Sequence, residues 1–248
     1  ESDYIRSRRT TRQLLPDSIL TEYAGSGKLA EGVARRIARS VVAGDLAPGQ
    51  LIGTETDLIE REGVSRAVFR EAVRLLEYHS IARMRRGPGG GLFVAEPSVG
   101  AVTDMVAVLL ARRRMDLDQL SELRMEVETV AVSLTVKRID AAGRLRVEAA
   151  LERESRTREQ DRNEAVHGLH AAVARTAGNP VLELMALVLI RLSRLYQVER
   201  FAERDTDRIR AEVQRAHAAI ADAILAGDPD LARHRMQRHL AALASIVR

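Results

Sequence analysis

The sequence has no cysteine and no tryptophan, and aromatic residues make up 3% of it. The absence of cysteine excludes disulfide bonds, thiolate metal sites and thiol nucleophiles, and nothing points to an oxidising compartment. No uninterrupted apolar run approaches the roughly 18 residues that a membrane-spanning helix needs. Residues 1–15 also lack the apolar core of a signal peptide. We therefore expect a soluble, cytoplasmic protein without a membrane partner.

Lysine is scarce as well, because only Lys28 and Lys137 among the 39 basic residues are lysines. The remaining basic residues are arginines, whose planar guanidinium suits phosphates, carboxylates and guanine edges. The net charge of +4 selects no partner by itself. Residues 65–86, however, carry six arginines against two glutamates. A local basic cluster of this kind indicates nucleic-acid binding.

The first third of the chain predicts a helix, a short second helix, a third helix and then a hairpin. Apolar residues recur at helical spacing over residues 28–43, and Thr54 begins a second helix that stops at Gly63. Ser65 caps a third helix that runs to Tyr78. Two strand-like runs, 81–84 and 91–94, flank a glycine-rich tip. We expect a helix-turn-helix with a small β-hairpin over residues 27–97, preceded by a flexible arm at 1–26.

The rest of the chain, residues 98–248, predicts one helix after another. The expected helices are 99–111, 116–138, 140–160, 162–177, 181–200, 205–226 and 229–247. Their core must consist of leucine, valine, isoleucine and alanine, since aromatic residues are so few. The predicted fold is therefore mainly α, with an antiparallel helical bundle as the second domain.

The run GVSRAVFREAVRLLE, the preceding TETDL and the RRGPGGG hairpin resemble the winged helix-turn-helix of the GntR family of bacterial transcription regulators. The resemblance covers residues 28–96. It implies a homodimer on a palindromic double-stranded DNA operator, with recognition helix 65–78 in the DNA and wing 85–90 reaching the minor groove. The DNA-binding residues that it implies are Thr54, Thr56, Ser65, Arg66, Arg70, Arg85, Arg86 and Gly89.

The residues themselves support part of that assignment. A Ser65 cap leaves helix amides free for a phosphate, and Arg66 and Arg70 share one exposed face at a spacing of four residues. The alternative is a solvated arginine-rich helix face, which is the better interpretation of any lone arginine pair. The combination with a capped helix and a hairpin favours DNA binding.

The helical half resembles the ligand-binding bundle of the FadR-type subfamily through ELRMEVE, LH followed by GNP, and a third stretch from His217 to Leu240. This resemblance implies a divalent transition metal, zinc or nickel, held by three histidines and an aspartate. The matching histidines are His170, His217 and His239, whereas Val166 occupies the aspartate position. His167, three residues before His170, offers a further imidazole.

Spacing supports the meeting of two of these histidines. His217 and His239 each lie 11 residues from Asp228, so an antiparallel hairpin returns both side chains to the same height. The alternative is that the histidines are surface or hydrogen-bonded core residues. Without the aspartate, three neutral ligands are expected to leave the charge of the metal uncompensated. An acidic effector is one source of the missing anion.

Arg124 and Asn179 are candidate effector-binding residues. A buried Arg124 guanidinium is suited to hold the carboxylate of a small effector, but a pair with Glu128 one helical turn away is equally expected. Asn179 either contacts the effector or caps the Gly-Asn-Pro bend.

The sequence therefore predicts a ligand-responsive DNA-binding regulator that is not an enzyme. One alternative is a metal-dependent enzyme built in the helical bundle, with the N-terminal module localising it to DNA. The region of the histidines offers no evident nucleophile or acid–base pair for that alternative. A DNA-compacting protein without an effector is a third interpretation, and it needs no polar cluster inside the bundle.

Overall fold

The computed structural model of the chain describes residues 27–96, 98–156, 167–201 and 206–247. These residues form two compact units that divide between Ser98 and Val99. The predicted arm at 1–26, the position of Val166 and the end of the predicted helix 140–160 lie outside the described residues.

The N-terminal unit contains three helices and a three-stranded antiparallel sheet among its described residues. Its elements are α1 (Lys28–Ala43), β1 (Leu51–Gly53), α2 (Glu55–Glu62), α3 (Arg66–Tyr78), β2 (Ala82–Arg85) and β3 (Gly91–Val94). The three helices and the hairpin confirm the prediction. Strand β1 was not predicted from the sequence; it pairs with β3 as an edge strand, so the strand order is β1-β3-β2.

Side-chain caps and a glycine fix the ends of the two helices of the helix-turn-helix. The Thr54 hydroxyl accepts a hydrogen bond from the Asp57 amide at 3.2 Å and so begins α2. Gly63 ends α2 with a φ of 63°, in the left-handed region that favours glycine. The Ser65 hydroxyl accepts from the Val68 amide at 3.3 Å and begins α3. The turn between the helices is therefore set by three adjacent local signals.

The core of this unit lies where α1, α2 and α3 meet the sheet. The apolar faces of the helices bury Ile37, Leu58, Phe69 and Leu76, and β3 contributes Leu92. Burial of such side chains stabilises the fold by about 1.5–3 kcal/mol each. It also leaves the opposite face of α3, with its arginines, in solvent.

The C-terminal unit is helical throughout its described residues, as predicted. Its helices are α4 (Val99–Arg112), α5 (Leu117–Arg138), α6 (Ala141–Arg156), α7 (Gly168–Thr176), α8 (Pro180–Phe201), α9 (Thr206–Ala226) and α10 (Pro229–Val247). Helix α5 packs against α7, α8 and α10, and α9 packs against α10. The main core is aliphatic, as the lack of aromatic residues requires.

Five of the polar side chains that are buried on the helices of this bundle form one connected cluster. They are Glu128 on α5, Glu154 on α6, His170 on α7, His217 on α9 and His239 on α10. Buried polar groups need partners, and hydrogen bonds link these five residues to one another.

In the part of the chain that the structure describes, no helix combines the length and the apolar character needed to span a bilayer.

Candidate nucleic-acid interface and metal centre

Helix α3 presents a basic face to solvent, directly after its capping serine. Arg66 and Arg70 are exposed and lie one helical turn apart. Ser65 is also exposed, and its hydroxyl is engaged in the cap. The first amides of α3 therefore face the same solvent region as the two guanidinium groups, which is the arrangement that binds a phosphate.

Glu55, at the start of α2, lies between these two arginines. Its Oε1 atom is 3.3 Å from the Nε of Arg70 and 3.8 Å from the Nε of Arg66. One carboxylate thus holds both side chains on the same side of α3. Sequence reasoning missed Glu55, although it follows the capping residue Thr54 directly.

The wing is the second basic element of this unit. The guanidinium of Arg85 stacks over the Phe93 ring at 4.3 Å from its centroid. Arg86 is exposed beside it, and Gly89 forms the tip with a φ of 71°. The wing therefore carries one arginine fixed by an aromatic ring and one that is exposed at the start of the loop.

A groove of about 780 Å³ separates α3 from the wing. Arginines from both sides line it, together with the glycines of the wing. Within it, the Glu77 carboxylate accepts a hydrogen bond from the Met84 amide at 3.0 Å, which ties the end of α3 to strand β2. Four arginines and two glutamates line the groove, an excess of positive charge that suits a nucleic-acid backbone.

Three histidines converge inside the helical bundle and form the histidine triangle (His170, His217 and His239). The Nε2 atom of His170 is 3.2 Å from that of His217 and 3.2 Å from that of His239. The Nε2 atoms of His217 and His239 are 3.1 Å apart. All three rings are buried. The hairpin spacing around Asp228 therefore brings His217 and His239 together, as predicted.

Two buried carboxylates contact the outer nitrogens of this triangle. Glu128 hydrogen-bonds the Nδ1 of His170. Glu154 hydrogen-bonds the Nδ1 of His217, with its oxygens at 2.8 and 3.0 Å. The sequence did not predict these two carboxylates as neighbours of the histidines. The carboxylates lie behind the imidazole rings instead of at the position of the family's aspartate.

Arg124 reaches the same cluster from one turn earlier on α5. Its Nε donates to the Glu128 carboxylate at 2.5 Å, so the pair that the spacing predicted is present. Its Nη2 is buried, with no hydrogen-bond partner among the described residues. The Nη2 group is therefore available to a further acceptor.

Burial and these contacts decide the protonation of the cluster. Burial raises the pKa of the Glu128 carboxyl, but His170 and Arg124 outweigh it and hold that pKa well below its usual range. Burial lowers the pKa of His170, against the opposing effect of Glu128. Burial likewise lowers the pKa of His239. The resulting state is an ionised carboxylate beside neutral imidazoles, which are the protonation states that metal ligation requires.

The histidine triangle fits a divalent metal ion. Nitrogen ligands about 2.0–2.1 Å from a tetrahedral zinc ion lie about 3.3 Å from one another, close to the separations found here. Imidazole nitrogens suit zinc, nickel, copper or iron. The ligand atoms of the three residues form one group that could hold such an ion.

His167 and Asn179 do not join this triangle. His167 precedes the first residue of α7, and its ring centroid lies 6.4 Å from that of His170. Burial, followed by the nearby Arg124 charge, holds the pKa of His167 well below its usual value. Asn179 is exposed, and its side-chain oxygen accepts from the Val181 and Leu182 amides. Asn179 thus caps α8, in line with the alternative interpretation of the Gly-Asn-Pro bend.

Two family models match the chain, one for each compact unit. Residues 29–94 match the family described as "Bacterial regulatory proteins, gntR family". Residues 119–242, half of the chain, match the "FCD domain". The order of the two matches is the order predicted from the sequence.

Two bacterial regulators and one solved structure resemble the chain along most of its length. The galactonate operon transcriptional repressor of Escherichia coli is 30% identical over 86% of this chain and 92% of its own length. The uncharacterized regulator YcbG of Bacillus subtilis is 28% identical over 86% of this chain and 87% of its own. The solved structure of a GntR protein from Streptococcus agalactiae covers 87% of this chain and 99% of its own, with a TM-score of 0.66 and 20% identity. This last likeness supports the fold.

Proposed function

Because the chain belongs to the GntR family of bacterial regulators, with an FCD domain in its C-terminal half, it is a ligand-responsive DNA-binding transcription regulator, and we propose how its two units perform that task. The N-terminal unit binds an operator through α3 and the wing. The C-terminal unit binds a small carboxylate beside a metal ion. The observation that carries this proposal is the buried chain from Arg124 through Glu128 to the histidine triangle.

The proposed DNA contacts are those of the exposed basic face. Arg66 and Arg70 meet base edges or phosphates from α3, while Ser65 and the first amides of the helix meet a phosphate. Thr54 and Thr56 contact the backbone from the start of α2. The wing carries Arg85, Arg86 and Gly89 into the minor groove. Because Gly89 at the tip has no side chain, the wing can approach the DNA closely.

We propose that the protein acts as a homodimer, since one short recognition helix covers a single half-site. A palindromic operator follows from the twofold symmetry of such a dimer. Sedimentation velocity at micromolar concentration tests this proposal, with a mass of twice 27.4 kDa as the expected result. A protein that is a 27.4 kDa monomer in solution, and that also binds the operator as a monomer, would contradict this proposal.

The proposed effector is a small carboxylic acid whose carboxylate meets Arg124. Arg124 is 3% exposed, and its Nη2 has no hydrogen-bond partner among the described residues. An unpaired buried donor costs about 1–3 kcal/mol, and more when it is charged, so an anionic ligand gains by filling this position. One relative represses a galactonate operon, which makes sugar acids the first compounds to test.

The proposed metal ligands are the Nε2 atoms of His170, His217 and His239, with zinc or nickel as the ion. When bound, the metal supplies a positive centre that attracts an oxygen of the effector. The protein's own contribution is to bring three buried imidazoles together, two of them hydrogen-bonded to carboxylates. His167 lies outside the ligand group of this proposal.

The coupling of the two units is reciprocal if effector and operator each favour a different arrangement of the bundle. The direct test is fluorescence anisotropy of the metal-loaded protein on an operator selected from random duplex DNA, with a panel of carboxylates added. We expect one sugar acid or hydroxy acid to change operator affinity at least fivefold. An Arg124→Lys variant should lose this response while keeping operator affinity, whereas Arg112→Lys, at an exposed position on α4, should keep both.

The absence of an enzymatic function follows from the family, since its members here are regulators. The family therefore argues against the alternative of a metal-dependent enzyme with an accessory DNA module. A DNA-compacting protein without an effector would need no polar cluster inside the bundle. The buried group of three histidines therefore favours a ligand-responsive regulator over this alternative.

A further inference from the structure

Two of the three converging histidines are each hydrogen-bonded through Nδ1 to a buried carboxylate, whereas His239 has no hydrogen bond to a carboxylate among the described residues. Glu128 hydrogen-bonds His170 Nδ1, and Glu154 hydrogen-bonds His217 Nδ1 at 2.8 Å. We infer that Glu128 and Glu154 are positioning residues of the metal centre, which fix these two rings and supply the negative charge that a first-row dication needs. This inference rests on the proposed metal site.

The hydrogen bonds determine which nitrogen of each ring carries the proton. An ionised carboxylate only accepts hydrogen bonds, so the Nδ1 of His170 and of His217 must be the donor. In a neutral imidazole the other nitrogen then bears a lone pair. The two Nε2 atoms that lie 3.2 Å apart are therefore both acceptors.

Two acceptor nitrogens at that distance form no hydrogen bond and repel each other. The ring of His239 cannot donate to both of them. His239 has at most one Nε2 hydrogen to donate, whereas its Nε2 lies close to both of the others. A neutral triangle therefore leaves lone pairs facing one another in a buried space. One shared cation satisfies all three at once, and the two carboxylates are what aim the lone pairs at it.

The charges of the buried cluster also favour a bound cation. The side chains of Glu128 and Glu154 are 2% and 4% exposed, and an unpaired buried carboxylate is costly. The positive charge of Arg124 offsets the negative charge of Glu128. In the described part of the chain, Glu154 has His217 as its hydrogen-bonding partner and no arginine or lysine. The cluster thus carries one net negative charge with neutral rings, and a divalent ion turns it to one positive. A monocarboxylate effector would make it neutral.

The two carboxylates can be tested separately because their neighbours differ. Glutamine at either position keeps an oxygen that accepts from Nδ1–H but removes the charge. We expect Glu154→Gln and Glu128→Gln each to weaken Zn²⁺ binding by about 10–100-fold. The matched controls are Glu152→Gln, exposed on the same helix as Glu154, and Glu126→Gln, exposed on the same helix as Glu128. Both controls should bind Zn²⁺ as the parent does.

The experiment is a chelator competition with Zn²⁺ on the full chain, joined to visible absorption of the Co²⁺-loaded protein. The Glu→Gln variants should retain the Co²⁺ absorption of the parent, because the three ligands stay in place while affinity falls. Glu154→Asp, which restores the charge, should recover part of the lost affinity. Zn²⁺ affinity of Glu154→Gln within twofold of the parent would overturn the inference.

A measurement on the parent protein covers the case in which a variant fails to fold. Nitrogen-15 NMR of the imidazole rings of the zinc-loaded parent should show Nδ1 protonated and Nε2 metal-bound for His170 and His217. Nδ1 ligation at either residue would overturn the inference. By contrast, a parent that takes up no Zn²⁺, and a His217→Ala variant that behaves like it, would show that the metal site itself is wrong.

Discussion

The Oε1 atom of Glu55 lies 3.3 Å from the Nε of Arg70, on the surface that faces the proposed operator. The same oxygen is 3.8 Å from the Nε of Arg66. All three side chains are at least partly exposed, so these pairs contribute little to folding stability. We expect Glu55 to act instead by orienting the two arginines and by placing a negative charge beside the proposed operator.

Glu55→Gln is therefore expected to change specificity more than stability. Removing a negative charge near phosphates strengthens binding to any duplex, whereas two less ordered arginines read bases less well. We expect tighter binding to scrambled duplex and a smaller ratio of operator to scrambled affinity, measured by anisotropy at one salt concentration. Glu60→Gln is the control, since five residues further on it points about 140° away around α2. An unchanged ratio would show that Glu55 plays no part in recognition.

Arg66→Ala is expected to weaken operator binding by about 1–3 kcal/mol, the usual value of an arginine fork on a base. The fold should stay intact, because the side chain is 67% exposed. Arg66→Lys should recover little of the loss, since lysine lacks the planar fork. Circular dichroism provides the folding control. Operator affinity equal to the parent's would remove Arg66 from the interface.

The wing is expected to act on the backbone of the DNA more than on its sequence. Replacing Arg85 and Arg86 by alanine should weaken binding to operator and scrambled duplex alike. The slope of log affinity against log salt is negative, and each lost phosphate contact makes it shallower by about 0.9, so the slope of the double variant should be shallower by up to about 1.8. The slope from a salt titration is the measurement, and a slope equal to the parent's would place the wing away from the DNA.

Local signals predicted most of the fold, and the exception has a non-local cause. Helix α1 ends where predicted because apolar side chains recur every four residues up to Val41 and Gly44 follows. Strand β1 was missed because its three residues show no alternation. It forms by pairing with β3, some forty residues further along the chain, and Gly49 donates to the Val94 carbonyl at 2.9 Å to extend that pairing. Such a strand exists through its partner and leaves no periodic pattern.

The metal centre was also predictable only in part from local spacing in the sequence. Symmetric spacing about Asp228 predicts the meeting of His217 and His239 because both lie on one helical hairpin. Glu154 reaches His217 across 63 residues, from a separate helix, so no spacing in the sequence announces it. Glu128 was visible only as the partner of Arg124 one turn away, and its contact with His170 needed the packing of α5 on α7.

Acid is expected to destabilise the metal-free protein in two separate pH ranges. Burial lowers the pKa of His239 and of His170, so each ring takes up a proton at a lower pH in the folded state than in the unfolded chain. The unfolded chain takes up protons on these rings below about pH 6.5 and therefore binds more protons than the folded chain. The free energy of unfolding should thus fall as the pH drops from 6.5 to 5. The pKa of Glu128 lies below its usual range, so its contribution is lost only below about pH 4.

Thermal unfolding of chelator-treated protein between pH 7.5 and 5 measures the first range. Each buried histidine that must stay neutral contributes a slope of up to about 1.4 kcal/mol per pH unit. His239→Gln removes one such group, so its melting temperature should depend less steeply on pH than that of the parent. His234→Gln is the control, because His234 is exposed on the same helix and should leave the slope unchanged. If parent and His239→Gln lose stability in parallel, the His239 ring is protonated equally in both states, and burial does not hold it neutral for a metal.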